Sequence, residues 1–259
     1  MSDFLDILAR DAKQTVNEEY YKVSTQHTFS PVSLKKAILE RKKNAVITEV
    51  KAASPSRGTI KTDFEPENVA VAMENGGAAG ISVLTEPKHF SGSLNYIAKV
   101  RKAVKLPILM KDIIVNPLQL ETASKIGADA VLLIEALFER EHCKFSLDEM
   151  IAKAHEKNLE VLLETHNENE FQSAVNSDAD LVGINNRDLR TLEVDVRVTE
   201  RILKRCVTQG KVVVSESGVM NPSDLLFLRG CGAQAFLIGS AIMMADNIEK
   251  TVKEFVAAP

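Results

Sequence analysis

The chain reads as a (β/α)8 barrel of the α/β class with an N-terminal helical extension. Three observations predict this fold. Short β-rich apolar runs alternate with helix-length amphipathic patterns from residue 45 onward, the signature of parallel βαβ units. The runs are continuously apolar, as strands covered on both faces are. There are eight of them, joined by short connections, in a chain of 259 residues, a length at which α/β barrels form one domain. The alternative is a doubly wound open sheet. That fold would carry a GxGxxG loop after its first strand, where this chain has Ser54-Pro55-Ser56-Arg57-Gly58.

Residues 2–22 predict an amphipathic helix, with Phe4, Leu5, Leu8 and Val16 among charged neighbours and Ser2 or Asp3 as cap. A second helix is expected from Ser33 to about Lys43, behind Pro31. Together residues 1–44 form an extension packed on the barrel, and residues 1–259 form one domain without a linker. The eight expected strands are Val46–Lys51, Gly80–Glu86, Pro107–Asp112, Ala130–Ala136, Glu160–His166, Leu181–Arg187, Lys211–Gly218 and Ala235–Ala241. Helices are expected between them at Pro66–Asn75, Leu94–Val104, Pro117–Ile126, Ser146–Lys157, Glu168–Val175, Thr199–Cys206 and Pro222–Arg229, with a last one near Asn247–Val256. Gly76-Gly77, Gly127 and Gly230-Cys231-Gly232 follow three of these helices, where left-handed caps belong.

Barrel enzymes place their chemistry at the C-terminal ends of the strands. Here those ends are polar on nearly every strand: Glu49 and Lys51, Lys111 and Asp112, Glu135, Glu164, Asn185 to Arg187, Glu216 to Gly218, and Gly239 with Ser240. Glu49 and Lys51 share a face of the first strand. Alone they could be a surface ion pair on an edge strand, but convergence from six strands points to a site. The period of two puts Lys111 with Leu109, Glu135 with Leu133, Glu164 with Leu162, and Gly183, Asn185 and Arg187 together, all expected to face inward. Asp112 and Asn186 fall in the other phase and are expected to tie loops down. On strand seven either Glu216 or Ser217 could point inward. The glycines of Ser215-Glu216-Ser217-Gly218-Val219 and Leu237-Ile238-Gly239-Ser240-Ala241 let backbone N–H groups approach a ligand. Loops after strands seven and eight often hold a phosphate, so a phosphorylated small molecule is the expected partner. The bland reading, that both glycines serve only tight turns, remains beside it.

Composition narrows the function classes. Net charge of −4 at pH 7 gives no basic excess for nucleic acid. No apolar stretch is long enough to span a bilayer, and the N-terminus lacks a signal-peptide core. Cys143, Cys206 and Cys231 form no CxxC pair, so a reducing, cytoplasmic setting is expected. His27, His89, His142, His155 and His166 are scattered; His166 follows a strand end and is read as a loop or packing residue. No metal constellation, nucleophile elbow, P-loop or dinucleotide fingerprint occurs, so proton transfer by Lys and Glu without cofactor or metal is expected. No interface pattern stands out; a monomer is expected, with a homodimer the alternative.

Glu49-Val50-Lys51 with Ser54-Pro55-Ser56, Ser82 to Glu86, Lys111-Asp112, Glu164, Gly183 to Leu189, Ser215 to Gly218, and Ile238-Gly239-Ser240 closely resemble indole-3-glycerol phosphate synthase. The resemblance covers essentially the whole chain, extension included. It implies a (β/α)8 lyase of tryptophan biosynthesis that closes and decarboxylates 1-(2-carboxyphenylamino)-1-deoxyribulose 5-phosphate. It further implies Lys111 as general acid for ring closure, Glu164 and Lys51 as the groups of the dehydration step, and Glu49 and Asn185 as organisers of hydroxyls and water. By the same resemblance Lys51, Ser54, Gly218, Gly239 and Ser240 contact phosphate and substrate, with Ser217 beside Gly218. Arg187 and Glu216 belong to the polar ring, and Phe90 shields the substrate's aromatic ring. Segment 54–60 becomes a candidate lid.

Two positions depart from the family pattern. Ala52 stands where Arg or Lys is common, and Ile113 where Phe is common; altered affinity rather than lost activity is expected. A phosphoribosylanthranilate isomerase would want a Cys and Asp pair that this chain lacks. A Schiff-base aldolase using Lys111, or a barrel that only binds a sugar phosphate, are the other readings.

Overall fold

The computed structural model describes residues 3–24, 29–54, 58–60 and 64–259, the side chains of Ser54 and Thr59 excepted. Eight parallel strands close into a barrel: β1 (Ala45–Val50), β2 (Gly80–Leu84), β3 (Ile108–Lys111), β4 (Ala130–Ile134), β5 (Glu160–Thr165), β6 (Leu181–Asn185), β7 (Val212–Glu216) and β8 (Ala235–Ile238). Neighbours follow chain order, and β1 closes the ring with Ile47 opposite Gly80 of β2 and Ala45 opposite Ala235 of β8. A similar fold without shared function is common among barrels, so the site must be argued from its side chains.

The apolar residues divide into two populations. Ala45, Ile47, Leu109, Ala130, Leu132, Leu162, Leu181, Val212, Val214, Ala235 and Leu237 fill the barrel. Val46, Val50, Ile81, Val83, Met110, Val131, Leu133, Val161, Leu163 and Val213 face the surrounding helices. This two-sided burial is why the strands read as unbroken apolar runs. Helix starts are marked by chemistry the sequence shows. Asn116 with Gln119, Ser146 with Glu149, and Asn221 with Asp224 form capping boxes, and Pro66, Pro117 and Pro222 open their helices. Gly77, Gly127 and Gly232 take φ of 93°, 103° and 109°, the left-handed conformation expected of them.

The extension packs against both ends of the barrel. Helix α1 (Phe4–Asn17) is capped by Asp3 and buries Leu5, Leu8, Ala9 and Ala12 in the same cluster as the barrel interior. It is shorter than the span 2–22 because Glu18 already leaves helical geometry and Glu19 has φ of 66°. Arg140 reaches Asp3 at 2.7 Å, and His142 and His89 reach Asp6 and Asp11 at 3.0 and 2.9 Å; these contacts hold α1 against loops at the C-terminal mouth. Helix α2 (Leu34–Leu39) sits at the opposite end. Its cap Ser33 donates to Glu160, the first residue of β5, and Leu34 packs on Gly80.

The expected strands run too far at their C-terminal ends. β2 stops at Leu84, β6 at Asn185, β7 at Glu216 and β8 at Ile238, because the polar residues beyond them turn into loops rather than continue the ladder. Ile134 is the last residue of β4, and Glu135 opens a short helix, Glu135–Glu139. A two-stranded ribbon, Ala53–Ser54 with Gly58–Thr59, follows β1. Pro55, Ser56 and Arg57 of the expected lid, and also His27, lie outside the described residues. The three cysteines are free and half-buried.

Candidate active site

The C-terminal mouth holds a cavity of about 490 Å3. Its floor is built by strand-end residues that share the inward phase. On β1, Ala45 and Ile47 fill the barrel, so Glu49 and then Lys51 follow them into the mouth. On β3 and β5 the same step of two carries Leu109 to Lys111 and Leu162 to Glu164. On β6 it carries Leu181 through Gly183 to Asn185, and on β7 Val212 and Val214 to Glu216. Glu49 and Lys51 therefore form an interior pair, 2.6 Å apart, rather than a surface one.

Lys111 is the hub. Its Nζ lies 2.5 Å from Glu216 Oε2 and 3.4 Å from Glu164 Oε2. Burial opposes the ammonium charge, but Glu216, Glu164 and Glu49 outweigh it and raise the group far above an ordinary lysine. Burial would likewise raise Glu164, yet Lys111, His166 and Asn185 overcome it and hold that carboxyl low. Glu216 goes the other way. Complete burial and the neighbouring carboxylates of Glu164 and Glu49 lift it in spite of Lys111. Two carboxylates around one lysine thus differ in proton affinity, the arrangement that separates an acid from a base.

Two glycines make room for these charges. A Cβ on Gly183 would collide with Glu216 Oε1, and one on Gly239 would collide with Glu49 Oε2 and stand 2.9 Å from Lys51 Nζ. Gly183 is thus the gap in β6 that admits the Glu216 carboxylate.

The walls come from loops. Glu86 accepts hydrogen bonds from the backbone N–H groups of Lys88, His89 and Phe90 at 2.9, 2.7 and 3.0 Å, which fixes Phe90 at the cavity edge. Phe4 and Leu8 of α1, with Leu132, Ile134 and Ile113, complete an apolar side. Opposite them lie Arg187, Ser217, Gly218, Gly239 and Ser240. Ser217 and Gly218 have φ of 65° and 89°, a turn that ends β7 abruptly. Ser240 opens a four-residue helix, Ser240–Met243. Arg187 also donates to the Leu192 carbonyl at 2.8 Å.

Most expected site residues therefore meet in one cavity: Glu49, Lys51, Phe90, Lys111, Glu164, Asn185, Arg187, Ser217, Gly218, Gly239 and Ser240 all line it. Glu216 lies beneath the lining, reaching the cavity through Lys111. The Ser54 side chain lies outside what is described. Asp112 and Asn186 tie loops down as their phase predicts. Asp112 accepts from Tyr21 and from the Ile113 N–H, while Asn186 bonds Ser215, Thr199 and the Glu216 carbonyl. Ile113 forms part of the wall, and Ala52 lies buried off the cavity, its carbonyl accepting from Ile60 N–H.

Two expectations are corrected. Leu133 faces the helices, so Leu132 and Ile134 point inward on β4 and Glu135 is turned away from the cavity toward Glu170 and His166. A run of Leu-Leu-Ile offered no polar residue to set the phase of that strand. His166 is more than a packing residue, since its ring stands 3.2 Å from Glu164 and 3.0 Å from Glu170. Its place two residues beyond Glu164, in the same phase, was the available signal.

The family described as indole-3-glycerol phosphate synthase matches the chain over residues 5–255. An indole-3-glycerol phosphate synthase of Neisseria meningitidis serogroup C is 47% identical over 208 residues, covering 80% of this chain and 78% of its own. One from Campylobacter fetus subsp. fetus is 40% identical, with coverage of 88% and 86%. One from Endomicrobium trichonymphae is 39% identical, with coverage of 90% and 93%. Among solved structures, an N-acetylmannosamine-6-phosphate 2-epimerase from Clostridium perfringens superposes with a TM-score of 0.60 over 84% of this chain and 93% of that one. At 16% identity that likeness concerns the fold alone.

Proposed function

The chain belongs to the indole-3-glycerol phosphate synthase family, and on that premise we propose how its residues divide the reaction. The enzyme closes the pyrrole ring of 1-(2-carboxyphenylamino)-1-deoxyribulose 5-phosphate, with loss of carbon dioxide and water, in tryptophan biosynthesis. The observation that carries the assignment of roles is Lys111 held between Glu164 and Glu216 on the cavity floor.

Attack of the aromatic carbon on the ketone puts negative charge on the carbonyl oxygen. Lys111, an ammonium kept charged by three carboxylates, protonates that oxygen as the bond forms. Glu216 lies 2.5 Å from Lys111 and holds its proton more tightly than an ordinary carboxyl, which suits it to resupply the lysine. Decarboxylation restores the aromatic ring. Dehydration then requires a proton taken from one atom and one given to the leaving hydroxyl. Glu164, held low in proton affinity, suits the base, and Lys51 suits the acid with Glu49 at 2.6 Å. Asn185 stands beside Glu164 at the cavity and helps hold that carboxyl low.

The apolar wall of Phe4, Leu8, Phe90 and Ile113 takes the carboxyphenyl ring, and the face of Ser217, Gly218, Gly239 and Ser240 takes the phosphate with Lys51. N–H groups at the start of a helix have no carbonyl partner within it and favour an anion. The cavity of about 490 Å3 has the size of small-molecule sites. This reading takes residues 1–259 as one barrel domain with 1–44 as its extension. It takes the working unit as a cytoplasmic monomer whose partner is a phosphorylated small molecule and not a nucleic acid.

The test is direct. Purified protein given the carboxyphenylamino-deoxyribulose phosphate should produce indole fluorescence, which no Trp in the chain obscures. Lys111→Ala should lose ring closure by about a thousandfold or more, as for loss of a group that stabilises developing charge, while binding survives. Near-normal turnover of that variant would overturn the assignment.

A further inference from the structure

We propose that His166 is a positioning residue for Glu164: held by Glu170, its ring engages one oxygen of the Glu164 carboxylate and so aims the other at Lys111. The inference rests on the role given to Glu164 above. His166 does not line the cavity; it stands behind Glu164, at the turn between β5 and the helix α3 (Glu168–Asn176). The two oxygens of Glu164 are divided between two cations. Oε2 lies 3.4 Å from Lys111 Nζ and Oε1 lies 3.2 Å from His166 Nε2. The Nε2–H is turned off the line to that oxygen, so the contact acts as a charge pair rather than an aligned hydrogen bond.

The ring itself is fixed from the other side. Glu170 Oε2 accepts from the His166 backbone N–H at 2.7 Å and lies 3.0 Å from Nδ1. Glu170 is in turn fixed at the first turn of α3, where its N–H donates to the capping Asn167 at 2.9 Å and its other oxygen accepts from the Asn167 amide. The titratable groups facing the ring are Glu164 from β5, Glu170 from α3 and Glu135 from the helix Glu135–Glu139. Burial works against a charged ring, but Glu164 and Glu170 outweigh it and push His166 up to about 10. A carboxylate on each nitrogen keeps both ring protons in place.

The consequence is electrostatic as well as geometric. On the cavity side Lys111 is shared between Glu164 and Glu216. The charge that His166 brings from behind gives Glu164 a cation that Glu216 does not compete for. It keeps Glu164 ionised in a site crowded with acids. The device reaches the reaction only through Glu164, and its loss is felt in turnover rather than in substrate affinity.

The experiment compares His166→Ala, Glu170→Gln and Glu164→Gln in the full-length enzyme by steady-state kinetics across pH, with circular dichroism and thermal unfolding on each. His166→Ala should lower kcat by about 10- to 100-fold, the scale of a small misplacement of a catalytic group, with KM changed by less than about threefold. Its acidic limb of kcat should move up by about one pH unit or more, because Glu164 loses a cation. Glu170→Gln should move the limb in the same direction by less. A kcat within about twofold of wild type in His166→Ala, or a fall in kcat with the acidic limb unmoved, would overturn the inference. If His166→Ala does not fold, an unmoved limb in Glu170→Gln overturns it alone. Full activity in Glu164→Gln would instead remove the role of Glu164, a failure distinct from that of His166.

Discussion

Lys111 and Asp112 are adjacent in the chain and end in opposite environments, which shows how much the strand phase decides. Lys111 reaches Glu164 and Glu216 across the cavity floor, whereas Asp112 borders the cavity but turns its carboxylate back into the protein and is 2% exposed. There it accepts from Tyr21 at 2.9 Å, from Thr85, and from the Ile113 N–H at 2.7 Å. Burial outweighs these three donors and pushes its carboxyl up to about 6. Between the ordinary value of 3.8 and about 6 the folded state binds a proton that the unfolded chain releases. Its contribution to stability is therefore fully present below pH 4 and lost as pH rises through 6. The stability difference between Asp112→Asn and wild type should shift in favour of the variant by up to about 3 kcal/mol from pH 4 to 7. A constant penalty from donor crowding would sit beneath that shift. Urea unfolding at the two pH values measures it, and a difference independent of pH would contradict the account. Gly183 makes a second residue-scale case. Gly183→Ala places a methyl group on the Glu216 carboxylate, and displacement of a buried charge next to Lys111 should lower kcat by about tenfold or more. Enzyme assay of that variant, with unchanged kinetics as the contrary result, decides it.

At the scale of elements, the extension contributes both fold and site. Helix α1 buries Leu5 and Leu8 to 1% and 2% exposure, and Leu8 also borders the cavity together with Phe4. Its amphipathic stripe thus covers the barrel mouth, and its acidic face meets Arg140, His142 and His89 on the loops below. These partly exposed ion pairs contribute orientation more than energy; the apolar stripe supplies the stability. Leu8→Ala should cost about 2–5 kcal/mol and raise KM by opening the apolar wall, with kcat less affected. Denaturant unfolding and steady-state kinetics read the two effects separately, and a variant with unchanged KM would detach α1 from the site. Helix α2 differs, touching β5 through Ser33 and the start of β2 through Leu34. One element of the extension therefore borders the cavity and the other closes the opposite end of the barrel.

At the scale of the whole molecule, strands, helices and extension share their buried surface. The interior cluster runs from α1 through the barrel to α2, and the outer cluster joins every strand to its helices. The C-terminal segment is tied to the start of β1, since Asn44 bonds the Phe255 and Ala258 carbonyls at 3.0 and 2.9 Å. Thermal or urea unfolding should accordingly show one cooperative transition by fluorescence and circular dichroism alike. Two resolved transitions would show that the extension or a half-barrel folds separately. No helix among the described residues is long and apolar enough to cross a membrane.

The eightfold rhythm, the parallel order and the charged strand ends around the cavity are legible along the chain, because each rests on a local pattern, whereas most of the apolar lining is not. Apolar runs, glycine caps and capping boxes are written in consecutive residues, and a period of two carries Leu109 to Lys111 and Leu162 to Glu164. Where that pattern falls silent the reading failed: the Leu132-Leu133-Ile134 run has no polar residue to mark its inner face, and Glu135 went to the wrong side. Tertiary structure alone decided which charges share a partner. Glu164 and Glu216 are 52 residues apart in the numbering yet both reach Lys111, and only closure of the barrel brings β5 and β7 to β3. It also decided that Gly183 exists to admit Glu216, and that His166, bland in sequence, stands between two carboxylates. The proton affinity of a buried group depends on how many charges surround it and how little water does, and neither is a property of the chain read along its length.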